Sequence, residues 1–580
     1  MKTNAAVRNV RYRLSWGDPN EHLFDVEITF TAWRTKTDLL LPAWRPGRYL
    51  VQNYAANVRQ WSATGDEGRA LDLIKTDKTT WRVTSRKGES VCVRYRFFAG
   101  VLDAGSSFLD AGEAWFNGSN LFMMVVDQRK APATLDLQIP KDWRVVTQLK
   151  RISAKRYSAR DYDYLIDSPT IISPSVELRE LEESGAVIVL AFQNQKGIDT
   201  RRFVAPVRKI VRGHAALFSG IPTSRYTFLY HVGDRWHGVE HEDSCSIILK
   251  RAELLGAGKD DPGTDHALAV TSHEFFHLWN VKRILPARFV PYDYARETPT
   301  KLLWVMEGVT SYYGEQMLRR TRLWSRERYL KHLSTEITTL ETTPGKAWLS
   351  LSQASFDGWL QEPAQMHDKS NAWISFYNKG EIVAALMDIE IRRTTKGLKS
   401  LDELMRYLWK KYGTKGRGLE EDAIEQALQK LFGGALVDFH RRYVEGVEPL
   451  PYEELFGAAG LALTHKPGQI GDLGGKIRAI DGRLIVDSVR AGGFAMTAGL
   501  LPGDEILAID GTRVTSQVAL AALLIAGGRG KASVLFARND VVRTVSSVSL
   551  TNGDGRFELS INEQRSPSQE EMLAGWLGED

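Results

Sequence analysis

Short alternations of apolar and polar positions fill the first 175 residues: HLFDVEITF, TDLLLPAW, TTWRVTS, VCVRYRFFAG and ATLDLQIP, separated by Gly, Pro, Asp and Asn clusters. A period of two is that of half-buried strands, so residues 1–175 are predicted to form an all-β domain. Trp33, Trp44, Trp61, Trp81 and Trp115 are expected in its core and between its sheets. After Val176 the spacing lengthens. RRFVAPVRKIVRGHAALFSG has helical periodicity, RYTFLYHV reads as a buried strand, and long amphipathic segments then dominate, predicting a mixed, mostly helical domain over residues 176–455. Short strands return as KIRAI, LIVDSV, EILAIDG, ASVLFARN and VVRTVSSVSL around one helix near SQVALAALLIA, which predicts a small β domain over residues 465–552. Residues 553–580 are polar and are expected to form a tail with one short amphipathic piece. No period of 20 to 50 residues marks a repeat array.

Length agrees with this outline, since 580 residues exceed what a single core supports. The chain is a multidomain α+β protein on this reading. Its 43% hydrophobic content with interspersed charge indicates folded domains rather than disorder. The 76 basic and 71 acidic residues leave a net charge of +5 without a continuous basic block, so no nucleic-acid partner is expected. No stretch approaches transmembrane length, and the opening MKTNAAVRNVRYRL lacks the apolar run of a secretory leader. A cytoplasmic protein without a membrane partner is the expectation, although a leader removed earlier would leave the same trace. Cys92 and Cys245 are too few and too far apart for a disulfide framework or a cysteine metal site, and are expected as buried thiols.

One segment carries chemistry. DPGTDHALAVTSHEFFHLWNVKR has Pro262 and Gly263 near its start, no breaker afterwards, and an apolar face of Leu268, Phe275, Phe276 and Trp279, which predicts a buried helix. His273 and His277, four apart, fall on one face and can share a cation. Glu274, on the same turn, can take a proton from a water at the open position of that metal. A catalytic zinc needs a third protein ligand. Glu307 lies among apolar neighbours in the helical pattern LLWVMEGVTSYYGEQML; an acid there is either salt-bridged or on a metal, and the H-E-x-x-H pattern favours the metal. One Zn2+ ion held by His273, His277 and Glu307 is therefore expected, with Thr310 and Ser311 one turn on, placed to orient the ligands.

The order HEFFH, then WVMEGVTSYY on a following helix, resembles the gluzincin metallopeptidases, and HEFFHLWNVKRI resembles their glycyl aminopeptidase branch. LPAWRPGRYL in the leading domain and AMTAGLLPGDEILAIDGTRV in the trailing one extend the resemblance to nearly the whole chain. It implies a thermolysin-like catalytic domain, a PDZ-like third domain, and a zinc-dependent aminopeptidase acting on peptides with a free N-terminus and a small first residue, glycine or alanine. YNKGE resembles the tyrosine motif of related aminopeptidases and assigns the oxyanion donor to Tyr377. The G-V-E-H phrase resembles the exopeptidase signature whose glutamate anchors the substrate's amino terminus, which assigns that role to Glu240. Gly238 and Val239 stand where relatives often have Gly-Gly or Gly-Ala-Met, and Glu242 and Asp243 remain alternatives. His237 and His241 lack helical pairing and stay outside the metal set.

In the PDZ-like region Pro502-Gly503 and Asp510-Gly511 read as turns, and Gly471, Gly474 and Gly475 form the nearest Gly-rich loop, without the customary Gly-Leu-Gly-Phe. Such a domain either binds a C-terminal peptide by strand addition or docks within its own chain. A serine protease is disfavoured because no Gly-Asn-Ser-Gly-Gly phrase occurs. A zinc endopeptidase, or a zinc-stabilised PDZ scaffold without activity, are the competing readings; the scaffold would leave Glu274 without a task.

Overall fold

The computed structural model describes residues 9–255, 262–360, 368–468, 470–526 and 530–579, so the first eight of the opening residues on which the reading of a missing leader rests lie outside the described residues. The chain divides into two compact units: residues 1–298 with 313–323 and 406–420, and residues 299–312 with 324–405 and 421–580.

The first unit begins with the all-β domain. Val10–Ser15, Leu23–Thr31 and Ser90–Phe98 are consecutive neighbours in an eight-stranded sheet, and their alternation leaves Tyr12, Phe24, Ile28, Val93, Tyr95 and Phe97 no more than 2% exposed. Burying a phenol is unfavourable unless its hydroxyl finds an acceptor. Tyr95, Tyr162 and Tyr12 donate to the consecutive carbonyls of Leu121, Phe122 and Met123 at 2.6, 2.7 and 3.0 Å. Trp44, Trp81 and Trp115 are buried as expected, but Trp33 and Trp61 are 38% and 40% exposed. Trp33 lies in the bend after its strand, and the register shifts between Arg59 and Ser62, which turns Trp61 outward. Cys245 is buried and Cys92 only half-buried; both are free thiols.

A second sheet follows in the order Glu177–Glu183, Ala186–Gln193, Arg225–Gly233, Ser244–Lys250, His237–Glu240. Its middle three strands are parallel and buried along almost their whole length, as strands covered on both faces are. His237–Glu240 runs antiparallel to its neighbour at the edge. Helix Pro262–Phe276 packs Phe275 against Tyr226 and Phe228 of this sheet, with ring centroids 5.0 and 5.6 Å apart. That contact sets the H-E-x-x-H turn beside the edge strand.

Helices dominate the second unit until the C-terminal β region. Trp304–Gly308 forms a π-helical turn whose Gly308 meets Gly380 of helix Asn378–Thr394. A Cβ on either glycine would come within 2.5 to 2.9 Å of the other's Cα, so the two helices touch backbone to backbone. The PDZ region is a sheet of Gly475–Ile480, Arg483–Val489, Glu505–Ile509, Lys531–Arg538 and Val541–Ser549 in that order, with helix Gln517–Ala526 beside it. Asp510 and Gly511, at φ 47° and 75°, make the turn read from the sequence.

Residues beyond 553 differ from the expected tail. Arg556–Ile561 pairs antiparallel with Leu461–Lys466, and helix Pro567–Leu577 opens with a Ser566–Gln569 capping box. The backbone N–H groups of Phe557 and Leu559 are taken by the hydroxyls of Thr338 and Ser334, both at 2.9 Å. Trp576 is buried, donating through Nε1 to Tyr312 Oη at 3.1 Å. Partners this distant in sequence leave no local period to read. No helix among the described residues is long and apolar enough to cross a membrane.

Candidate active site

On the H-E-x-x-H turn, His273 Nε2 and His277 Nε2 lie 3.0 Å apart with their rings nearly perpendicular. His277 Nδ1–H donates to Asn280 O at 2.7 Å, which assigns the proton to Nδ1 and leaves the Nε2 lone pair facing His273. Two imidazole lone pairs converging on one point are the donor set of a cation such as zinc, so these residues fit the metal that the motif implies.

Two carboxylates close the site within the same unit. Ligand-bearing atoms of Glu240, Glu274 and His277 all lie within 4.8 Å of one another, and all three residues are buried. The Glu274 carboxylate lies over Gly238 of the edge strand. A Cβ at Gly238 would stand 2.6 Å from Glu274 Cδ and 2.9 Å from Cγ, nearer still to Oε1. Glu240 is 3% exposed, and its Oε1 has no hydrogen-bond partner among the described residues.

The neighbouring acids are otherwise engaged. Glu242 pairs with Arg160, and Asp243 accepts from Arg283 at 2.9 Å and Tyr164 Oη at 3.0 Å. Asp167 accepts from His241 Nδ1 at 3.0 Å, Lys282 Nζ at 2.9 Å and the Glu242 N–H at 2.9 Å. Burial opposes its charge, but Lys282 and then His241 outweigh that and hold the Asp167 pKa at about 2. Burial also disfavours the Lys282 ammonium, and the charges of Asp167, Tyr292 and Glu240 more than restore it, raising its pKa above the lysine range. His237, at the start of the edge strand, is pushed down to about 4 by burial and by Arg45. Of the three acids weighed for the amino-terminus anchor, Glu240 alone presents a buried oxygen that no described group takes up. Lys282 and Arg283, which organise this wall, were not singled out in the sequence; two bases directly after the H-E-x-x-H helix are the signal that could have found them.

Glu307 and Tyr377 belong to the second unit. Glu307 is 2% exposed inside the π-helical turn, and Thr310 Oγ1 donates to Met306 O at 2.6 Å, supporting that turn from its own backbone. Tyr377 caps helix Asn378–Thr394, stacks on Phe376 and is 37% exposed. The Gly308–Gly380 contact brings the segments of Glu307 and Tyr377 together. In the PDZ region a groove of about 890 Å³ runs between Gly471, Leu473, Gly475 and Ile477 on one side and Leu520 and Leu524 on the other.

Comparison with known proteins adds three family matches. Residues 11–174 match the Peptidase M61 N-terminal domain, residues 266–383 the M61 glycyl aminopeptidase, and residues 485–538 the PDZ domain. Among solved structures, an aminopeptidase N family protein from Idiomarina loihiensis is 27% identical, with a TM-score of 0.90 over 98% of this chain and 100% of that one. An M1 zinc metallopeptidase from Deinococcus radiodurans is 15% identical, with a TM-score of 0.49 over 77% of this chain and 95% of that one. No curated protein matches.

Proposed function

We propose that the chain is a zinc-dependent enzyme of the M61 glycyl aminopeptidase kind, removing small N-terminal residues, glycine and alanine, from peptides with a free amino terminus; the matches to the M61 N-terminal domain and to the M61 glycyl aminopeptidase support this reading. The observation that carries the reading is Glu240, a buried carboxylate on an edge strand with an unsatisfied oxygen beside Glu274 and His277. A buried carboxylate oxygen without a partner is costly, and a substrate α-ammonium supplies the missing donor.

His273, His277 and Glu307 are the residues we assign to one zinc ion; Glu307 takes its place from motif order and from its burial in an apolar helix. When bound, zinc supplies Lewis-acid polarisation of the scissile carbonyl and of a water. Glu274 takes the proton of the attacking water and passes it to the leaving amine. Tyr377, partly exposed at the head of its helix, donates to the oxyanion. Glu240 fixes the register by holding the α-ammonium, and the edge strand His237–Glu240 offers its free backbone edge to the extended peptide. The PDZ groove is our assignment for an extended C-terminal segment.

Zinc analysis coupled to a panel of glycyl, alanyl and leucyl anilides, each free and N-acetylated, tests the reading. Glu274→Gln should keep its zinc and lose at least about 100-fold in kcat, whereas His273→Ala should lose the metal. Equal cleavage of free and acetylated substrates would replace the aminopeptidase with an endopeptidase. A zinc-loaded protein inert toward every peptide would leave the PDZ scaffold.

A further inference from the structure

Gly47, in the LPAWRPGRYL phrase of the N-terminal β domain, lies against Glu240. Its backbone is left-handed, at φ +85°, and an ideal Cβ there would stand 2.9 Å from both Glu240 Cδ and Oε1, nearer still to Oε2. Three atoms of the carboxylate within that reach mean that the loop covers the group rather than grazing its tip. Real Cβ atoms do not approach heavy atoms under 3.0 Å, so a side chain at position 47 requires something to move.

The loop is held more firmly than the carboxylate. Ala43 N–H donates to Tyr294 O at 2.8 Å, Gln52 N–H closes the loop onto Ala43 O at 2.7 Å, and Trp44 Nε1 donates to Asp293 O at 2.7 Å. The Arg45 side chain is 2% exposed and packed against Gly105. The Glu240 backbone is fixed opposite Cys245 in the sheet. What remains free to yield is the Glu240 side chain.

We propose that Gly47 is a positioning residue of the α-ammonium subsite: the N-terminal β domain, through a glycine that only an absent side chain permits, sets how far Glu240 reaches toward the amino terminus of a peptide substrate. This rests on the assignment of Glu240 as the anchor. The β domain is then part of the exopeptidase site rather than an appendage to it.

The test is Gly47→Ala in the full-length zinc enzyme, assayed on glycyl and alanyl anilides. A displaced anchor weakens one charge-assisted contact, so KM should rise about 10- to 100-fold while kcat changes less and zinc content stays constant. Gly88→Ala is the matched control, because Gly88 has φ +87° with nothing within 4 Å of its Cβ position; it carries the same backbone strain without the carboxylate and should keep wild-type KM. In a Glu240→Ala background the substitution Gly47→Ala should cost nothing further. If Gly47→Ala alone does not fold, the double variant should recover folded protein, since the obstructing carboxylate is gone. Wild-type KM in Gly47→Ala, a full additive penalty in the Glu240→Ala background, or no recovery of folding in the double variant would each overturn the inference. Glu240→Ala that still prefers free over acetylated substrates would instead remove the anchor assignment itself.

Discussion

Gly238→Ala should displace Glu274, the base we propose, without touching the proposed metal ligands. Gly238 has an ordinary backbone conformation, so the added methyl acts through space alone. Its Cβ would stand 2.6 Å from Glu274 Cδ, and ordinary contact begins at 3.4 Å, so the carboxylate must retreat by at least 0.8 Å. The edge strand is held in place by its pairing, Gly238 opposite Ile247 of a neighbour buried along almost its whole length, so the carboxylate is the part that yields. Misplacing a reacting group by about 1 Å costs on the order of 100-fold in rate. The expected result is a kcat on glycyl anilide lower by about that factor, KM within about threefold and stoichiometric zinc unchanged. In a Glu274→Gln background the same substitution should change kcat little, since the base is already absent. Turnover within threefold of wild type would refute the placement of Glu274 as base; a loss that adds fully to Glu274→Gln would show that the methyl acts on substrate instead.

Lys282→Met should leave the Asp167 charge without its ammonium partner and destabilise the protein by about 3 kcal/mol in urea unfolding, and an unchanged midpoint would sink the assigned pairing. His214 is fully buried, hydrogen-bonded to Ser272 Oγ at 2.9 Å, and depressed to about 3 by burial and by Arg320. The unfolded chain binds a proton below about pH 6.5 and the folded one does not until about 3, so stability should fall by about 1.4 kcal/mol per pH unit across that window. His214→Gln should flatten the slope of melting temperature against pH between 6.5 and 4.5, and an identical slope would refute the depressed pKa. Asn371 Nδ2 donates to Val489 O at 2.8 Å and its Oδ1 accepts from Ala491 N at 2.7 Å, so Asn371→Ala should loosen the PDZ region by about 2 kcal/mol. Faster limited proteolysis within residues 461–490 is the expected readout, and wild-type cutting would show the clamp to be idle.

The parts of this protein that are periodic were legible before any coordinates. The leading strands follow a period of two, and His273 and Glu274 lie on the last turn of helix Pro262–Phe276 with His277 directly after it, so local geometry alone brings them together. What escaped the sequence depends on partners far away in it. The strand Arg556–Ile561 is held by hydroxyls of Ser334 and Thr338, and Gly47 meets Glu240 from far away in the sequence. Trp61 reads like any other core aromatic until a bulge turns it out. The G-V-E-H phrase favoured Glu240 but left Glu242 and Asp243 as alternatives, and it is their ion pairs that set them apart from it.

Electrostatics bears on the two carboxylates beside His277. With ligand oxygens of Glu240 and Glu274 within 4.8 Å of each other, two full negative charges repel by about 3 kcal/mol at an effective dielectric constant near 20. Lys282 offsets part of this for Glu240, but its closest pairing is with Asp167. Each of these carboxylates lies against a glycine, Glu274 on Gly238 and Glu240 on Gly47, closer than a side chain at either position would allow. On the proposed assignment, a metal dication at the histidines and a substrate ammonium at Glu240 would each offset part of this repulsion. An acetylated amino terminus brings no charge to Glu240, so on this assignment blocked peptides should be cleaved more slowly than free ones, and equal rates would refute the anchor.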